Sequence, residues 1–176
     1  MRVSIYMGMS LDGFLARPDD GLDFLPAPPD GDDMGFGAFL ASVDTLVMGR
    51  RTFEIVQRFG PEGWVYGDLP VVVLSRSWTA LPEGARSSVR LRAAEPATLL
   101  AELAEAGVQH VYVDGADVAR SFLRAGLVNE LTVTVVPVLI GQGITLWGEL
   151  AGDLRLELLD SRVQAGGLVQ SRYRLL

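Results

Sequence analysis

The chain has 176 residues, of which 49% are hydrophobic and 21% charged, and its formal net charge is −7. It contains no cysteine, a single histidine (His110) and fifteen basic residues that are all arginine, which excludes disulfides, thiolate metal sites, cysteine nucleophiles, His-rich metal clusters, lysine Schiff bases and a phosphate-loop lysine. No arginine cluster is dense enough for a duplex nucleic-acid face, although an acidic total leaves room for a locally basic pocket that takes a small anion.

The length predicts one domain over residues 1–176, since single cores commonly run to about 100–200 residues. The N-terminus MRVSIYMGMSLDG lacks the apolar stretch and cleavage site of a secretory signal. The longest apolar run, residues 133–140, contains Pro137 and falls far short of the roughly 20 residues of a membrane span. The expectation is a soluble, cytoplasmic protein.

In chain order, Val3–Met7 reads as a first strand, followed by a turn signal at Asp12-Gly13. The Pro- and Asp-rich stretch 26–32 is too stiff and polar for an element and reads as a surface loop. A helical spacing then runs from Met34 to Ser42. Asp44–Met48 is a second strand, Arg51–Phe59 a helix, and Val71–Leu74 a third strand. A helix over 96–106 carries Leu99, Leu100 and Leu103 on one face, opened by Glu95-Pro96 and closed by Gly107. His110–Val113 makes a fourth strand and Ala116–Arg124 a further helix. Strands alternating with helices, in β-branched runs without alternation, predict an α/β domain with a parallel sheet.

The last third changes character. Residues 131–135, 154–158 and 169–175 alternate apolar and polar, as half-buried antiparallel strands do, with Ala165-Gly166-Gly167 as the hairpin turn. The sheet is therefore expected to be mixed, mostly parallel, with antiparallel strands at its C-terminal edge.

Four places put glycine, serine or arginine directly after a strand, where ligands bind in parallel α/β sheets. Gly49-Arg50-Arg51-Thr52 opens a helix and is either an anion site or a plain turn with solvated arginines. Asp114-Gly115-Ala116 leads into Val118 on the next helix; Gly115 either admits a phosphate or serves turn geometry alone. Ser75-Arg76 suits a phosphate monoester or is an ordinary polar loop. Asp12-Gly13 is a tight bend or part of a loop over a site. Asp32 and Asp33 precede a helix, as caps or as an acid facing a nitrogen heterocycle. His110 belongs at a sheet end, and Trp64, Trp78 and Trp147 either pack or stack on a flat ring.

Taken together, SLDGFLA, VMGRRTF, VVVLSRS and YVDGADVARSFLRAGLVNELTVTVVPVLIGQG resemble the dihydrofolate reductase superfamily. They are most similar to the branch containing the C-terminal reductase domain of the bifunctional riboflavin-biosynthesis deaminase-reductase and its stand-alone relatives. The resemblance covers nearly the whole chain. It implies a three-layer fold with helices on both faces of the sheet and NADPH as cofactor.

By that resemblance, Gly49, Arg50, Arg51 and Thr52 match the turn that binds pyrophosphate and the adenosine side. Ser75 and Arg76 match the loop that holds the 2′-phosphate. Gly115 and Ala116 match the second phosphate turn, where the family usually has Gly-Gly, and Asp114 precedes it. Val118 follows on the same helix, and Gly8 and Leu15 match positions lining the nicotinamide. Asp33, sixteen positions before Gly49, has the spacing of the substrate-binding carboxylate of dihydrofolate reductases proper, and Asp12 matches an Asp-Gly near the substrate mouth.

The implied activity is NADPH-dependent hydride transfer to a small pterin-like, pyrimidine or related heterocyclic substrate, with homodimerisation through the strands around residues 133–139 and the C-terminal hairpin. The alternative is a catalytically inactive dimeric nucleotide-binding module on the same scaffold, favoured by Asp114 and Ala116. A doubly wound dehydrogenase is disfavoured because the chain has no G-x-G-x-x-G.

Overall fold

A computed structural model describes residues 1–26 and 33–176. The loop expected over 26–32, together with Asp32, lies outside the described residues except for Pro26. Among the described residues, ten strands and four α-helices follow one another: β1 Arg2–Ser10, β2 Phe14–Ala16, α1 Phe36–Ala41, β3 Thr45–Gly49, α2 Arg50–Arg58, β4 Val71–Leu74, β5 Val89–Arg92, α3 Pro96–Glu105, β6 His110–Asp114, α4 Ala116–Arg124, β7 Glu130–Val136, β8 Ile144–Thr145, β9 Leu156–Val163 and β10 Val169–Leu175.

Eight strands form one sheet in the order β5-β4-β3-β6-β1-β7-β10-β9, and β2 pairs with β8 in a separate small sheet. The neighbours from β5 through β7 are parallel, whereas β10 runs antiparallel to both β7 and β9. This is the mixed sheet that the change in hydrophobic period predicts. Residues 165–167 make the turn between β9 and β10, with Gly166 at φ 72°.

The strands alternate strictly between two packed faces. Val3, Ile5, Val47, Val72, Val111, Val113, Leu131 and Val133 point to one face, where α3 and α4 cover them with Leu99, Leu103, Phe122 and Leu123. Leu46, Met48, Val71, Val73 and Tyr112 point to the other, beneath Phe36 and Phe39 of α1 and Phe53 and Val56 of α2. Apolar burial on both faces gives three layers and explains the unalternating β-branched runs of the inner strands.

On the α1–α2 side, however, the central strands turn polar. Ser4, Tyr6, Gly8 and Ser10 of β1 stand beside Thr132 and Thr134 of β7. That polar stripe borders the cleft described next.

Two strands were not expected from the sequence: β5, where Val89 and Leu91 alternate with Arg90 and Arg92, and β8, two residues long. The bend at Asp12-Gly13 leads into the short strand β2, one of the two readings of that turn. β9 begins two residues later and ends five residues later than the expected 154–158, running from Leu156 to Val163. Trp64 and Trp78 pack edge-on against Phe53, so they serve the core. His110 sits at the start of β6, at the opposite end of the strands from the helix-opening turns.

Candidate functional site

The neighbouring strands β3 and β6 end at Gly49 and Asp114, and each passes directly into a nine-residue helix. Gly49 precedes α2 in extended conformation, and Gly115 precedes α4 at φ 87°. Neither helix receives a side-chain cap, so first-turn amides with their partial positive charge face the space beyond the strands.

The two turns press on each other. A β-carbon placed on Gly115 would lie 2.0 Å from Thr52 Oγ1, and one on Gly49 would lie 3.2 Å from Val118 Cγ2. Only glycine at position 115 allows both this approach and its backbone angle.

These turns floor a cleft of about 1300 Å³. That exceeds the roughly 300–1,000 Å³ of ordinary small-molecule pockets, which leaves room for more than one small ligand. Gly8, Leu15, Gly49, Arg50, Arg51, Thr52, Ser75, Arg76, Asp114, Gly115, Ala116 and Val118 all line it, and so does Asp33. Asp12 does not.

The arginines of the lining all have partners. Arg50 meets Glu54 at 3.1 Å, with its guanidinium 5.9 Å from the centre of the Trp78 ring. Arg76 pairs with Glu95, both well exposed. Such exposed pairs are worth little and yield readily to a multiply charged anion. Arg120 pairs with Asp117 and donates to the Thr145 carbonyl at 2.9 Å.

Arg51 is held differently. Its Nε donates at 2.7 Å to Asp20, whose side chain is only 12% exposed and whose backbone adopts φ 72°. Arg58 approaches the same carboxylate at 3.9 Å. Arg51 thus braces α2 against the loop after β2, and that loop carries Leu22 and Leu25 onto the cleft. No local pattern announced Asp20, because its partner lies on another element.

The Ser75 hydroxyl oxygen accepts from the backbone N–H groups of Ser77 and Trp78, which fixes the loop beside Arg76. Asp114 stands on the floor of the cleft with both carboxylate oxygens engaged. Its carboxylate accepts from the Gly115 N–H at 2.8 Å and from the Tyr66 hydroxyl at 3.1 Å. Burial pushes this carboxyl above the usual carboxylate range, and burial beside Asp114 pushes the Tyr66 phenol well up. Sequence reasoning missed Tyr66, which comes from the loop before β4.

Asp33 accepts from the N–H groups of Gly35 at 2.9 Å and Gly37 at 2.7 Å, and so caps α1 while standing on the rim of the cleft. Asp12 takes the Ser10 hydroxyl at 2.6 Å and the N–H groups of Ile140 and Gly141 at 3.1 and 2.7 Å. The Ser10 hydroxyl, then the two amides, hold its carboxyl below the usual range. Its visible work is to tie the turn before β2 to the segment after β7.

The family model for the RibD C-terminal domain matches residues 2–169. The chain belongs to this family. It is 30% identical to the Bacillus subtilis protein YwjB, over 96% of this chain and 95% of the relative. A crystal structure from Shewanella sp. PV-4, provisionally named as a riboflavin biosynthesis protein, superposes with a TM-score of 0.94 at 35% identity, covering 100% of this chain and 99% of that one. The diaminohydroxyphosphoribosylaminopyrimidine deaminase/5-amino-6-(5-phosphoribosylamino)uracil reductase of Thermotoga maritima shares the fold, with a TM-score of 0.74 at 13% identity over 99% of this chain and 56% of its own. The sheet with its antiparallel edge and flanking helices matches these RibD-like structures.

Among the described residues, no group of three or more His, Asp or Glu is placed to hold a metal ion, and no helix is long and apolar enough to cross a membrane.

Proposed function

We propose that this chain is an NADPH-dependent reductase that transfers hydride to a small pterin-like, pyrimidine or related heterocyclic substrate. Membership of the RibD C-terminal domain family supports a reductase-type function. The observation that carries the reading is the meeting of the α2 and α4 N-termini at Gly49, Thr52 and Gly115 on the floor of one large cleft.

That floor suits the phosphates of a nicotinamide dinucleotide, because the uncapped N-termini of two helices are brought together on it by the close approach of Gly115 to Thr52. The first-turn amides of α2 and α4, with Arg50, would hold the pyrophosphate. Arg76, on the loop braced by Ser75, would take the 2′-phosphate, for which its planar fork is suited. Gly8 and Leu15 would flank the nicotinamide, Arg51 would keep α2 and the loop after β2 in place, and Asp33 would face the substrate. The cofactor supplies the hydride, and the protein supplies orientation and a dry wall. Such chemistry needs few acid–base side chains, consistent with one histidine and no cysteine or lysine.

Fluorescence titration with NADPH and NADH tests the reading. Clear preference for NADPH supports it, whereas equal affinity or no binding of either overturns the roles of Ser75 and Arg76. In the same reading the chain works as one cytoplasmic reductase domain and pairs as a homodimer, which light scattering checks.

A second reading, a dimeric nucleotide-binding module without turnover, draws on Asp114, whose carboxylate engages the Gly115 amide that a phosphate would otherwise meet. Loss of nicotinamide absorbance with any pterin, aminopyrimidine or aldehyde in a screen would dismiss it.

A further inference from the structure

The charges of the cleft are distributed unevenly. Its arginines come from α2, the loop after β4, and α4. These elements follow β3, β4 and β6, which all lie on one side of β1 in the sheet. The other end is built by β1, β7 and the residues leading into β10, with the loop after β2 and the start of α1 beside them.

Its side chains include Leu22, Leu25, Met34, Phe36, Val136 and Leu168. The nearest lining cation, Arg51 of α2, is taken up at 2.7 Å by Asp20 on the loop after β2, and the remaining charge at this end is the carboxylate of Asp33 on the rim. Arg172 shares a strand face with Gln170, one pair further along β10, but does not line the cleft.

The polar groups at this end are neutral. The Gln170 side-chain amide donates to the Tyr6 hydroxyl at 2.8 Å and to Thr134 Oγ1 at 3.1 Å. Tyr6 and Thr134 both line the cleft.

We propose that the compound reduced here is uncharged, a flat conjugated heterocycle that bears no phosphate. This rests on the reductase reading, since it assigns the arginine end to the cofactor. A phosphate monoester carries about −1.5 to −2 charge at pH 7 and requires charge-assisted donors. At the substrate end it would meet alkyl side chains and a carboxylate, an uncompensated transfer out of water. Neutral hydroxyls and apolar walls match a ring with carbonyl and amide edges.

The test uses 6-hydroxymethylpterin and its phosphate ester, titrated by pterin fluorescence on the full chain with and without NADP+. The alcohol is expected to bind at least about tenfold more tightly than the ester. Ester binding that is equal or tighter, or no binding of the alcohol, overturns the inference. A partner subunit that lent a cation would appear as ester preference and would overturn it too.

Leu22→Arg, checked for folding by circular dichroism, is expected to shift the preference at least about tenfold toward the ester. An unchanged preference in a folded variant would remove Leu22 from the substrate end and overturn this placement of the site. NADPH binding on the same sample separates the two levels. No NADPH binding sinks the reductase reading, whereas NADPH binding with ester preference sinks only the substrate class.

Discussion

Thr52 Oγ1 stands 2.0 Å from the point where a β-carbon on Gly115 would lie, although the two residues begin different helices. The helix termini are therefore locked at a spacing that only glycine permits. Gly115→Ala is expected to cost roughly 1–3 kcal/mol from its left-handed backbone, with a further penalty from the clash. Denaturant unfolding measures the first effect. NADPH titration of the folded fraction should show weakened binding, and Thr52→Gly in the same chain should recover part of it.

Arg76→Ala is expected to weaken NADPH by about tenfold or more and NADH by less than about twofold, because only the former bears the extra phosphate. Glu95→Gln should strengthen NADPH, since it removes the carboxylate that now holds Arg76. Matched losses for the two nucleotides would place the 2′-phosphate elsewhere.

Asp33 caps α1 and faces the cleft, and substitutions separate the two roles. Each carboxylate oxygen accepts one N–H, and Asn keeps only one acceptor, so Asp33→Asn should retain part of the capping and Asp33→Ala should lose about 1 kcal/mol. A substrate-facing carboxylate predicts that both variants lose roughly a hundredfold in kcat/KM. Retained turnover in the Asn variant would leave capping as its role.

Asp114 has a carboxyl raised chiefly by burial. An acid whose folded pKa is raised stabilises the fold fully below its unfolded value, near 3.8, and loses that contribution as pH rises through the folded value. At neutral pH it is therefore a burden. Asp114→Asn, which keeps an acceptor for the Gly115 amide, is expected to be as stable as the parent or more stable at pH 7, and to bind NADPH more tightly. Thermal melts at pH 4 and pH 7 check the sign, with the gain confined to the higher pH.

His110 has the opposite dependence. Burial first, then Arg2, lower its pKa below 6.5, against the raising effects of the Ser42 carbonyl, Glu130 and Asp44. A base with a depressed folded pKa supports the fold above its unfolded value and loses that support as pH falls below about 6.5. Denaturation midpoints should decline from pH 7 toward pH 5, and His110→Gln should flatten the slope. The Arg2 guanidinium, 2.7 Å from Nδ1, adds to burial in making protonation unfavourable here.

Which features were legible in the sequence follows the range of the interactions that create them. Gly49 and Gly115 could be read locally, because a buried strand, a glycine and a helical period sit within about ten residues. The antiparallel edge was legible from its period of two. The short strands β5 and β8 were not, since four and two residues are too brief for an alternation to stand out. Arg51–Asp20 and Tyr66–Asp114 span 31 and 48 positions, and no local signal announces such a pair. Asp12 and Asp33 each showed a carboxylate but not its acceptor geometry, which depends on the loops folded round them.

Strand β1 lies between β6 and β7, and Arg2 pairs in register with His110. Strand β1 thus leaves the ribosome about a hundred residues before either of its main-sheet neighbours, β6 and β7. Until then its apolar run Val3, Ile5 and Met7 waits unpaired on the nascent chain, a natural target for a chaperone, and the centre of the main sheet can close only once β7 has been made.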